Sequence, residues 1–171
     1  MMTITLAEGI KLKSILSKQI RELEAEAHRV AFTTVEKGQQ PATLSRTLQH
    51  VEDDIERVRA DLRKLDLLIY IANSTNTVDF EEQPLLLVEA IEFAIQLRAK
   101  AEFYKSLSSA TKEEMLFGYS ENTPLYRIAL FDPETYRQKA QQAERAAHQL
   151  SNRINSKNYS ISLDFDGSAY F

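Results

Sequence analysis

Between residues 44 and 72, Leu44, Leu48, Val51, Ile55, Val58, Leu62, Leu65, Ile69 and Ala72 recur at alternating spacings of four and three. That period places all nine on one face of an α-helix, whereas a strand alternates every second residue. Over residues 43–76 it predicts a helix of ~50 Å at 1.5 Å per residue. Over residues 5–35, Leu16, Ile20, Leu23, Ala27 and Val30 repeat the spacing. The earlier stripe of Leu6, Ile10, Leu12 and Ile15 is out of phase with them, which predicts a stutter or a second contact face. Thr5 and Glu8 have the spacing of a capping box at the start of this helix. Over residues 84–110, Leu87, Ala90, Ala94, Leu97, Ala101 and Tyr104 form one seam, and Ile91, Phe93 and Ile95 fall outside it. A helix apolar on more than one face is expected to be covered on more than one side. Over residues 132–158, Asp132-Pro133-Glu134 reads as N-cap, first-position proline and first-turn acid. Tyr136, Ala140, Ala143, Ala147, Leu150 and Ile154 supply the seam that follows.

Breakers separate these segments. Gly38 and Pro41 mark one gap, Pro84 opens the third helix, and Gly118, Pro124 and Pro133 mark the gap before the fourth. The segments also repeat. Asn73-Ser74-Thr75-Asn76 matches Asn155-Ser156-Lys157-Asn158 at an offset of 82, and Leu6-Ala7-Glu8-Gly9-Ile10 matches Leu87-Val88-Glu89-Ala90-Ile91 at 81. The expected fold is therefore all-α: a duplicated long helical hairpin forming an elongated four-helix bundle. It would be one helical domain over residues 1–171, with repeat 1 at about 3–80 and repeat 2 at about 81–163. Thr111 and Glu114 read as the cap of one short helical turn ending at Gly118. Tyr126, Ile128 and Leu130 alternate with polar or small residues, as do Tyr159, Ile161, Leu163 and Phe165. These stretches predict a small β-ribbon pairing 125–131 with 159–165.

Composition narrows the chemistry. The 171 residues include no Cys, which removes disulfides, thiolate metal sites and Cys nucleophiles. Only 4 Gly and 4 Pro argue against a turn-rich β-sandwich. Lys plus Arg total 21 against 25 Asp plus Glu, a net charge of −4. Dedicated nucleic-acid binding is not expected from that balance, because phosphate contacts need clustered cations. Lys11, Lys13, Lys18 and Arg21 make the first helix locally basic, which reads as a solvated flank. No apolar run approaches the ~20 residues of a transmembrane helix, and no signal segment is seen at the N-terminus, so a soluble cytoplasmic protein is expected.

Thr5-Leu6-Ala7-Glu8-Gly9-Ile10, the heptad helix ending in Asn73-Ser74-Thr75-Asn76, and the closing Arg153-Ile154-Asn155-Ser156-Lys157-Asn158 together resemble a family of small bacterial helical proteins often labelled septicolysin-like. The resemblance covers roughly residues 3–163. It implies an all-helical fold, carries over no catalytic residues and brings no established activity. The family label suggests membrane activity.

Two clusters are candidates for binding. Antiparallel pairing of the first two helices sets His28 and His50 at one level, where Glu24, Asp53 and Asp54 join them as a mixed His and carboxylate set. The competing reading makes these residues ordinary partners on charged helix faces. Asn73, Asn76, Asn155 and Asn158 lie at helix ends and offer amide donors and acceptors to a ligand, or simply cap the helices. Glu8 and Glu89 occupy matched positions but read as first-turn acids. No nucleophile–base spacing or phosphate loop is present, so no cofactor and no catalytic residue are expected. The leading functional reading is a non-enzymatic structural or interaction protein, a homo-oligomer associating through helix 84–110. A small-ligand or metal-binding bundle, with enzymatic activity open, is the alternative, and a membrane-active protein is the third reading.

Overall fold

The computed structural model describes residues 3–43, 45–116 and 124–170. It is mostly helical, with short antiparallel strand pairs. In chain order the elements are β1 (Ile4–Thr5), α1 (Leu6–Ala31), α2 (Leu48–Thr75), β2 (Thr77–Phe80), β3 (Gln83–Leu86), α3 (Leu87–Ser108), β4 (Glu113–Leu116), β5 (Leu125–Ile128), α4 (Pro133–Ser160) and β6 (Ser162–Leu163). The chain divides into two compact units. One comprises Met1–Thr75 with Lys157–Phe171, the other Asn76–Ser156. Among the described residues no helix is long and apolar enough to cross a membrane.

In the first unit α1 and α2 run antiparallel, joined near one end by Lys13 to Asp66 and further along by Arg59 to Glu24 at 2.9 Å. The heptad seam of α2 is buried at Val51, Ile55, Val58, Leu65, Ile69 and Ala72. Leu44 lies outside the described residues, and the helix begins at Leu48. The capping box forms as expected: the Glu8 N–H donates to Thr5 Oγ1 at 3.2 Å and the Thr5 N–H to Glu8 Oε2 at 2.7 Å. Those hydrogen bonds hold the Glu8 carboxyl below its ordinary range. The stutter expected in α1 is not what fills the core. Leu6, Gly9, Leu12 and Leu16 are buried together, while Ile10 and Ile15 stay exposed. Gly9 supplies the missing step. A Cβ there would sit 2.7 Å from Leu163 Cδ1 and 3.4 Å from Leu65 Cδ1, so the helix approaches its neighbours where a larger residue would hold them off.

The strand pairing differs from the sequence expectation. Residues 125–131 and 159–165 do not form a ribbon. β6 pairs with β1, with Ile4 opposite Leu163 and Thr5 opposite Ser162. β5 pairs with β4, with Met115 opposite Tyr126 and Leu116 opposite Leu125. Alternation reveals a strand but not its partner, and β5 took the partner nearest in sequence. Residues Glu113–Leu116 accordingly form a strand where a helical turn was expected, and Gly118 lies outside the described residues. Pro84 likewise does not open a helix. It pairs with Asp79 inside β3, and α3 starts at Leu87. The tail beyond β6 packs in the first unit: Phe165 is buried, the Lys64 ammonium lies 5.8 Å from its ring centroid, and the Tyr170 hydroxyl donates to Asp61.

In the second unit β2 and β3 form a hairpin whose two loop residues, Glu81 and Glu82, both adopt positive φ (48° and 64°). Tight hairpin turns require that backbone, but Asn and Gly accept it far more cheaply than Glu. α3 and α4 run antiparallel. The Tyr104 and Tyr136 rings meet edge to face at 5.4 Å, and Arg98 donates to Ser151. Asp132 caps α4, its Oδ2 accepting from the Thr135 N–H at 3.1 Å and from the Thr135 hydroxyl at 2.8 Å.

Equivalent features recur in the two units. The Leu6 N–H donates to the Ile161 carbonyl at 2.8 Å, and the Leu87 N–H to the Asn76 carbonyl at 2.9 Å. Buried positions of α1 and α3 correspond at an offset of 81, as Leu6 with Leu87, Gly9 with Ala90 and Leu16 with Leu97. Those of α2 and α4 correspond at 85: Ile55 with Ala140, Val58 with Ala143, Leu65 with Leu150 and Ile69 with Ile154. The 82-residue sequence match is out of register with the core, and Asn155–Asn158 lies within α4, which continues to Ser160.

Leu65 and Leu150 are fully buried at corresponding positions. Leu65→Ala and Leu150→Ala are each expected to cost about 2–5 kcal/mol, read from urea unfolding. Burial, helped by Asp61, pushes the Tyr170 phenol from 10.0 up to about 12. A folded pKa above the unfolded one means that this contribution is complete below about pH 10 and fades as the pH rises through about 12. Tyr170→Phe should remove that alkaline component, measured as unfolding midpoint against pH for both proteins.

Candidate functional site

The four asparagines separate into different roles. The core register pairs Asn73 with Asn158, each two residues before its helix ends. In both, the side-chain oxygen is buried and accepts no hydrogen bond from the described residues. Asn158 is only 9% exposed. Buried acceptors without donors are uncommon, which makes these two the polar anomalies of the interior. Asn155 is exposed on α4. Asn76 follows α2, and its backbone carbonyl receives the α3 N-terminal N–H.

The His and carboxylate level is occupied by ion pairs. Arg46 donates to Glu26 at 2.7 Å and pairs with Asp54 at 2.9 Å, and Arg57 pairs with Asp54 at 2.6 Å. The Arg46 hydrogen bonds hold both carboxyls below their ordinary range. Glu24 is held by Arg59. His50 is part of the α2 cap: its N–H donates to Thr47 Oγ1 at 3.4 Å, and its Nδ1 accepts from the Thr47 N–H at 3.3 Å. This is a capping box with His in place of the usual Glu or Gln. Glu24 and His28 do share an open cleft of about 470 Å³ with Gln49, Asp53 and Arg59, but neither His50 nor Asp54 lines it. Among the described residues no three His, Asp or Glu side chains are grouped to hold a metal ion.

α3 carries apolar residues outside its buried seam, among them Ile91, Phe93 and Ile95. Phe93 is half-buried and packs edge to face on Phe80 of β2 at 5.9 Å, so the hairpin covers that side. Val88 and Ile95 are 53% and 52% exposed, and Phe103 is 59% exposed two turns further on. Spacings of seven and eight align the three on one stripe.

Asn158→Leu removes a buried acceptor for which the described residues offer no donor. It is expected to hold or raise the urea midpoint. A loss above about 1 kcal/mol would show that the oxygen makes a bond the protein needs.

No family model and no curated protein matches the chain. In structure it is similar to a functionally unknown conserved protein from Corynebacterium diphtheriae, whose crystal structure superposes with a TM-score of 0.66 at 21% identity, over 95% of this chain and 100% of that one. A likeness at that identity shows a shared fold.

Proposed function

We propose that this is a non-enzymatic interaction protein that acts as a homo-oligomer, with α3 as its contact helix. The observation that carries this reading is the exposed stripe of Val88, Ile95 and Phe103. Exposed large apolar side chains sharing one helix face point to a contact, and the charged Glu92, Arg98 and Glu102 lie among and beside them. A second copy is the simplest partner, since two-fold pairing sets the same stripe against itself. The two units descend from one duplicated helical hairpin. The recurring Leu6–Ile161 and Leu87–Asn76 hydrogen bonds and the matched cores support that descent. Divergence after duplication then explains why the stripe is present on α3 and not on α1, where the position 81 residues before Ile95 is Ser14.

Sedimentation at micromolar concentration tests the proposal. The wild type is expected to show a species above the 19.6 kDa monomer mass that grows with concentration. Ile95→Asp and Phe103→Glu, both on exposed positions, are expected to shift it to monomer while leaving helical circular dichroism unchanged. A wild type that stays at the monomer mass on tenfold concentration overturns the reading.

A further inference from the structure

Within the second unit, α3 and α4 flank an open groove of about 530 Å³. Phe93 and Tyr104 line it from α3, and two lysines face each other across it, Lys100 from α3 and Lys139 from α4. Both ammonium groups converge on one ring. Lys100 Nζ lies 5.8 Å and Lys139 Nζ 5.9 Å from the Tyr104 centroid, and Lys139 also sits 4.7 Å from the Tyr136 centroid. Phe93, Leu97 and Tyr104 give the open groove an apolar wall, and Lys100, Lys139 and Gln142 bring polar groups to it.

Some helical cations of this protein find a carboxylate three or four residues away: Lys18 pairs with Glu22, Arg57 with Asp54, Arg59 with Glu56 and Arg137 with Glu134. At those spacings Lys100 has Gln96, Leu97, Phe103 and Tyr104, and Lys139 has Thr135, Tyr136, Gln142 and Ala143. Neither is ion-paired to a carboxylate among the described residues, in a chain whose acids outnumber its bases. Ring faces attract the two charges but do not neutralise them. Two like charges drawn to one ring repel, and an anion between them relieves that repulsion. Gln142 adds an amide that can donate to an oxyanion. The one acid at the rim is Glu81, in the hairpin turn where a positive φ is costly for Glu.

We propose that this groove binds a small aromatic carboxylate. The carboxylate sits between the Lys100 and Lys139 ammonium groups, and its ring packs on Phe93 and Tyr104. The charge pattern selects an anion, and the aromatic wall selects a flat apolar body over an inorganic ion.

Titration with naphthalene-2-carboxylate, followed by tyrosine ring resonances and calorimetry, tests this. The neutral naphthalene-2-carboxamide is the matched control. The wild type is expected to bind the carboxylate saturably and more than about tenfold tighter than the amide, the difference that one charge-assisted contact supplies. The paired substitution Lys100→Gln with Lys139→Gln is expected to abolish that preference. Both positions are exposed and Gln is a good helix former, so the variant should fold. Lys105→Gln, on α3 outside the groove, should leave the preference unchanged. Equal affinity for acid and amide in the wild type, a preference that survives in the double variant, or no saturable binding of the carboxylate overturns the proposal.

Discussion

The starts of α1 and α3 are each held by one equivalent backbone hydrogen bond, and much else in the structure follows from it. The first N–H of α1, from Leu6, donates to the Ile161 carbonyl just beyond α4, and that of α3, from Leu87, donates to the Asn76 carbonyl just beyond α2. Helix termini leave such groups without partners, so a buried helix start must find an acceptor. Here the acceptor comes with a short strand pair, β6 with β1 and β2 with β3. The pair fixes where the helices begin. It thereby sets the register in which Leu65 lies near Gly9 in the first unit.

The two closures differ in connectivity, and that difference has physical consequences. β2 and β3 are joined by the Glu81-Glu82 turn, so their pairing is local. β1 and β6 come from opposite ends of the chain, and closing so long a loop costs entropy before any contact rewards it. The first unit adds anchors beyond the strand: buried Phe165 under Lys64 and the Tyr170–Asp61 hydrogen bond. In the second unit the free side of the hairpin presses Phe80 on Phe93 and carries Glu81 to the rim of the lysine-flanked groove.

The candidate sites show how far residue type alone can be trusted. His50 suggested a metal ligand by its level against His28, but its position three residues after Thr47 makes it a cap. That signal was present in the sequence as a capping spacing. Asp54 and Glu24 are held by arginines, one of which, Arg46, lies before the helix and reaches back to α1. Lys100 and Lys139 were passed over because a single lysine on a helix is unremarkable. Neither has an acid three or four residues away, but that does not mark them out, since Lys13, Arg145, Arg153 and Lys157 have none either. The convergence of Lys100 and Lys139 on Tyr104 depends on how α3 packs against α4 and is invisible in one dimension.

By itself the sequence determined the four long helices, the main buried faces of α2, α3 and α4, and the caps at Thr5 and Asp132, because periodicity, capping spacing and breakers act within a few residues. It indicated strand character near residues 126 and 163 by alternation. Tertiary structure decided what those strands pair with, since a strand carries no label for its partner. It also decided the true register of the repeat. The Asn-Ser-x-Asn match at 82 is a likeness of letters, whereas burial aligns α2 with α4 at 85, because packing against a neighbouring helix selects side chains by position and size. That register separates Asn73 and Asn158 from the other two asparagines, and only the folded chain leaves their side-chain oxygens buried without a donor.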